Sequence, residues 1–135
     1  MYILNVSYPD IQQGKHPNSE NTVLIQIVDP CVDFPVPMTN FDAIHQFEFS
    51  DVDDPEDQVW PFRMRKKQAK EIVKILQSAL NHNQNVIVHC IAGVSRSGAV
   101  VEIGVEMGFE DMGEYRDPNL YMVETLAKAL KKLEK

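Results

Sequence analysis

The hydrophobic pattern along the chain switches between two periods. Val23 to Val28, "VLIQIV", is a run rich in β-branched residues closed by Asp29-Pro30, as a buried strand would be. Tyr2 to Tyr8 reads as an edge strand. His45 to Phe49 alternates so that Phe47 and Phe49 share one face, which predicts another strand. From about Arg63 to Asn81 the period becomes helical. Ala69, Ile72, Val73, Leu76 and Leu80 form a stripe, and Lys66, Lys67, Lys70 and Lys74 lie off it. Asn85 to Cys90, "NVIVHC", is short and nearly all apolar, as expected of a strand covered on both faces. Helices are predicted over about Ser97 to Met107, stopping near Gly108, and over Pro118 to Leu133. The inner face of the latter should hold Leu120, Val123, Leu126, Ala127 and Leu130. Pro9 to Asn21 and Cys31 to Asn40 read as loops, with a short helical turn at Asn40 to Ile44. Strands alternating with helices around a buried central strand predict an α/β fold, a central mostly parallel sheet flanked by helices.

Composition narrows the class. The 135 residues suit one domain spanning 1–135, and 44% hydrophobic with 24% charged residues is ordinary for a soluble protein. No apolar run approaches the ~20 residues needed to cross a bilayer. The first ten residues lack the basic region and cleavage site of a signal peptide, so no membrane association and a cytoplasmic, reducing setting are expected. Two cysteines, Cys31 and Cys90, make no disulfide framework, and no His/Cys spacing is a zinc pattern. Neither a metal nor a cofactor is expected. The net charge of −7 argues against general nucleic-acid binding but leaves room for a local basic site.

The segment Val86 to Gly98, "VIVHCIAGVSRSG", carries the chemistry. A buried strand delivers Cys90 to the start of a loop without acidic side chains, and Arg96-Ser97-Gly98 opens the next helix. In such a strand–loop–helix unit the backbone N–H groups of Ile91, Ala92, Gly93, Val94, Ser95 and Arg96 can converge on one centre. The helix N-terminus adds partial positive charge there, making an anion cradle. A thiol at its rim has its pKa lowered from ~8.5 toward the ~3.5–7.5 range of thiols at helix N-termini. Arg96 offers a planar fork for two phosphoryl oxygens. Ser97 can hydrogen-bond the thiolate and stabilise it as a leaving group. A carboxylate here would repel the anion and raise the thiol pKa.

His89 to Gly98 resembles the signature loop of the cysteine-based protein tyrosine phosphatases, and its "AGVSRS" wording is closest to the dual-specificity branch. Pro118-Asn119, Met122 and Leu126 resemble the start of that branch's late helix. The resemblance implies a phosphate monoester hydrolase with Cys90 as nucleophile, Arg96 and the loop amides as phosphate ligands, Ser97 assisting and His89 supporting. It also implies an upstream Asp as general acid and then base. Asp51 matches the register of one residue after the alternating strand, and Asp54 and Asp53 are the alternatives. The implied partner is a phosphorylated protein or peptide bearing phosphotyrosine, with phosphoserine or phosphothreonine in a shallow pocket. A non-catalytic phospho-recognition module and a phosphatase of a non-protein phosphate remain the alternatives. The loop interior lacks the basic residues that relatives acting on inositol phospholipids tend to carry.

Other residues have two readings each. Cys31, at a strand end, can approach Cys90 for a protective disulfide, or is simply a semi-buried cysteine. His16, His45 and His82 are expected at the surface. The basic cluster from Arg63 to Lys74 is a solvated helix face or a steering surface. Trp60 lines the pocket or anchors the core. Glu102 and Glu106 share one face of a helix that is usually apolar in the family, so that face is exposed or meets a partner.

Overall fold

A computed structural model describes residues 1–52 and 62–134. Trp60 and the candidate acids Asp53 and Asp54 lie outside the described residues. In chain order the elements are β1 (Tyr2–Ser7), α1 (Tyr8–Gln13), β2 (Thr22–Val28), β3 (Ala43–Glu48), α2 (Lys66–Asn81) and β4 (Asn85–Cys90). They continue with α3 (Arg96–Met107), β5 (Glu110–Asp111) and α4 (Leu120–Leu133). The sheet order is β3-β2-β4-β1-β5 and every pairing is parallel. The α/β expectation therefore holds, and all strand C-termini reach one edge.

Side-chain alternation explains the layering. On one face Ile3, Ile25, Ile27, Val86 and Val88 meet α2, α3 and α4 in the main core. Their neighbours Leu4, Val6, Leu24 and Ile87 face the other way, onto Ile11 of α1 and Phe41. β4 is central and buried on both faces, as its apolar sequence requires. The α2 stripe lands as expected, with Ala69, Ile72, Val73 and Leu76 buried and Ala79 joining them. Removing Leu76 beyond Cβ would cost about 2–5 kcal/mol.

Several expectations are corrected. Pro9 to Asn21 is not all loop, because its first residues form α1. The Ser7 hydroxyl accepts the Asp10 N–H, Pro9 stands in the first turn, and Gly14 closes the helix at φ 68°. Six residues with one buried side chain give no helical period to read. β1 is an inner strand, since β5 pairs beyond it. The predicted turn at Asn40 to Ile44 gives way to β3, which begins at Ala43 and pairs with Val23. On α4, Met122, Leu126 and Leu130 point inward, whereas Leu120 is 62% exposed. The helix starts just there, at the Asn119 cap, and its inner stripe begins two residues later than the apolar pattern suggests, at Met122.

Candidate active site

β4 ends at Cys90, whose residue is 2% exposed, and α3 begins at Arg96, so residues 91–95 bridge a strand C-terminus and a helix N-terminus. Gly93 has φ +74°, and a Cβ there would lie 2.4 Å from the Val6 carbonyl carbon. Only glycine lets the loop press against β1 in this way.

The loop's carbonyls are taken up from outside. The Ile91 carbonyl accepts the Tyr8 N–H at 3.1 Å, and the Gly93 carbonyl accepts Asn5 Nδ2 at 2.7 Å. The Val94 carbonyl accepts the Asp117 N–H at 3.2 Å. The Ser95 carbonyl accepts the N–H groups of Ala99 and Asn119 at 3.0 and 3.1 Å. With the carbonyls held outward, amides turn inward. Burial pushes the Cys90 thiol pKa up, but hydrogen bonds from the Ser97 hydroxyl and from the N–H groups of Ser97, Val94 and Gly93 outweigh it and leave the pKa below its ordinary value. Sγ and the Ser97 Oγ are 3.3 Å apart.

Arg96 is 4% exposed. Its Nη1 donates to the Phe49 carbonyl at 2.7 Å and to Asp29 Oδ1 at 3.0 Å, while its buried Nε has no partner among the described residues. A buried donor left open is costly, and an oxyanion beside the loop would satisfy it. Ile91 and Ala92 are exposed at the rim.

Asp51, exposed just past β3, reaches the loop. Its Oδ1 accepts the Ser95 hydroxyl at 2.9 Å and Asn119 Nδ2 at 2.6 Å. Asn119 is 1% exposed, also holds the Val52 carbonyl at 3.0 Å, and caps α4 through the Met122 N–H at 2.9 Å. One side chain thus ties the Asp51 segment to α4. His89 is fully buried, with Nδ1 3.3 Å from the Cys90 carbonyl and its ring edge-on to Tyr8. Burial lowers its pKa to about 4, so it is neutral at pH 7 and carries no charge to offer as an acid.

Cys31 is exposed, not semi-buried, with φ 65°, and both cysteines are free thiols. His16 and His45 are half-buried where surface positions were expected, and His16 packs against Phe41. Glu106 is exposed, as one of the two readings has it, and Glu102 is partly exposed and paired within the chain. Glu102 accepts Arg116 Nε at 2.7 Å, and Arg116 also grips Asp111 through two bonds. This anchors the segment whose Asp117 and Asn119 amides hold the loop. Asn5, Asp29 and Arg116 are contributors that the sequence did not point to, because each meets the loop region only through the fold.

A model of the family described as "Polymorphic toxin system, DSP-PTPase phosphatase" matches residues 61–105, 45 of the 135 residues. No curated protein matches the sequence. Among solved structures, the human tyrosine phosphatase-like serine/threonine/tyrosine-interacting protein is 18% identical with a TM-score of 0.66, over 98% of this chain and 93% of that one. Human DUSP28 is 16% identical with a TM-score of 0.58, over 98% and 93%. A mouse putative dual specificity phosphatase complexed with zinc tungstate is 19% identical with a TM-score of 0.52, over 84% and 72%. The chain therefore has the fold of the cysteine-based protein tyrosine phosphatase superfamily in its dual-specificity-like form, a likeness that the family model extends to the signature segment itself.

Proposed function

We propose that the chain, acting as one domain over residues 1–135, hydrolyses phosphate monoesters on proteins, phosphotyrosine first and phosphoserine or phosphothreonine as well, in a reducing cytoplasmic setting. The Cys90 thiolate attacks phosphorus, forming an S–P bond as the P–O bond to the leaving group breaks. Asp51 gives that oxygen its proton, because an alkoxide or phenoxide leaves poorly. Asp51 then takes a proton from water as water attacks the phosphocysteine, and Ser97 stabilises the departing thiolate. Arg96 and the amides of Ile91 to Arg96 hold the equatorial oxygens throughout. No metal or organic cofactor enters these steps.

The observation that carries the reading is a buried thiol of lowered pKa beside a buried arginine whose Nε lacks a partner. A second reading, a phospho-recognition module without turnover, is favoured by one detail. Asp51 Oδ1 is engaged by the Ser95 hydroxyl and Asn119 Nδ2, so this oxygen is occupied in bracing the loop. Hydrolysis of p-nitrophenyl phosphate without metal separates the two. Release lost in Cys90→Ser, and reduced with loss of the high-pH limb in Asp51→Asn, supports the enzyme. No release from the unmodified chain, with phosphopeptide still bound, supports the module.

A further inference from the structure

A groove of about 510 Å³ runs between the end of β3 and the start of α2. Pro30 on its wall follows Asp29, which bonds Arg96. Phe62, 51% exposed, lies on another wall, and its carbonyl accepts the Ser50 N–H beside Asp51. Arg63, Arg65 and Lys67 also line it. Arg63 lies over the Tyr121 ring at 4.7 Å. Arg65 and Lys67 are exposed and form no ion pair among the described residues. Among the described residues the acids in the lining are Glu48 and Glu71, and neither is ion-paired with another of them, although Glu71 stands one turn beyond Lys67.

Charge along the chain gives this groove its meaning. Residues 63–74 hold six of the thirteen Lys and Arg and one of the twenty Asp and Glu. The rest of the chain therefore carries seven cations against nineteen acids. An acidic protein repels anionic peptides at long range, and a basic patch on this groove favours one line of approach. α2 has its own reason for only one helix face to be apolar, and of the off-stripe residues in its first turns, Lys66, Lys67, Gln68, Lys70 and Glu71, three are basic.

We propose that this groove is a subsite for a negatively charged side chain flanking the phosphorylated residue of a peptide, held by Arg65 and Lys67. The shared chemistry is an oxyanion, from an Asp or Glu carboxylate or from a second phosphate. Arg65 offers a fork that fits planar carboxylate or phosphate, and Lys67 a point charge. Pro30 and Phe62 give apolar wall for the stem of the flanking residue. The inference rests on the phosphatase reading and narrows its substrates.

Three phosphotyrosine peptides of equal length test it, with neutral flanks, with Asp and Glu flanks, and with a second phosphorylated residue. Each is assayed with the unmodified chain and with the Arg65→Gln/Lys67→Gln double variant, using p-nitrophenyl phosphate as control. Two exposed contacts predict kcat/KM about fivefold to tenfold higher for an anionic flank at low salt, a preference that shrinks with salt and vanishes in the double variant. Hydrolysis of the control should not change. Which anionic peptide gains tells carboxylate from phosphate. Equal rates on all three peptides, with the control hydrolysed, overturn the subsite. If the control itself is not hydrolysed, the phosphatase reading has failed, and equilibrium binding of the same peptides decides the groove. Tighter binding of anionic flanks, lost in the double variant, then supports it, and equal binding overturns it.

Discussion

Gly93→Ala is the sharpest structural test of how the cradle is built. Alanine at φ +74° enters the left-handed region, at about 1–2 kcal/mol. Space is the larger problem. The new Cβ would stand 2.4 Å from the Val6 carbonyl carbon and 2.6 Å from the Ser7 nitrogen, where ordinary contact begins at 3.4 Å. These are backbone atoms of β1, the inner strand, and cannot swing aside. Relief needs a shift of the loop by roughly 1 Å, and a misplacement of that size costs about a hundredfold in rate. Strain and displacement together should remove at least about 3 kcal/mol of stability, against a typical total of about 5–15 kcal/mol. Urea unfolding measures the first effect, and p-nitrophenyl phosphate turnover of the folded fraction the second. Gly113→Ala is the matched control. Its φ is +77° but nothing lies within 4 Å of the added Cβ, so it should lose about 1 kcal/mol and little activity. If Gly93→Ala is as stable and as active as its control, the loop is not braced on β1 and the account of the cradle is wrong.

Three other outcomes follow from the same geometry. The Cys90 thiol should alkylate with iodoacetamide at a midpoint below that of an ordinary thiol, and Ser97→Ala should raise the midpoint; no movement would deny Ser97 its part. His89 titrates near 4 when folded and near 6.5 when exposed, so the unfolded chain binds more protons between those values. Stability should therefore fall by about 3 kcal/mol as pH drops from 6.5 to 4, and His89→Gln should flatten that slope. Asn119→Ala removes the α4 cap and the bond to Asp51, so a loss of about 1–2 kcal/mol is expected, with kcat reduced more than KM raised. A KM effect alone would mean that Asn119 does not position Asp51.

Legibility in the sequence followed the range of the interactions. β2, α2 and β4 carry long, one-period hydrophobic patterns, and these elements fall where the pattern puts them. α1 and β5 do not, because six residues and two residues hold too few buried positions to set a period. Within the site, Cys90, Arg96 and Ser97 are local, joined by one loop. What braces them is not. Asn5 meets Gly93 across 88 positions, and Asp29 meets Arg96 across 67. No spacing announces such pairs, since parallel strands bring distant residues to one edge only after the sheet forms. Asn119 stood in the late-helix motif, yet its bond to Asp51 is a product of packing α4 against the loop. Glu102 is instructive in the opposite sense. It breaks an apolar helix face in the sequence, and Arg116, fourteen positions on, answers for it.

The central claim is a covalent intermediate on Cys90. A rapid acid quench of turnover in the Ser97→Ala variant, where breakdown of that intermediate is slowed, followed by peptide mass spectrometry, tests it directly. The account predicts the mass of one phosphoryl group on the peptide containing Cys90, absent in Cys90→Ser. Turnover with no phosphorylated Cys90, or with the phosphoryl group on another residue, would contradict it.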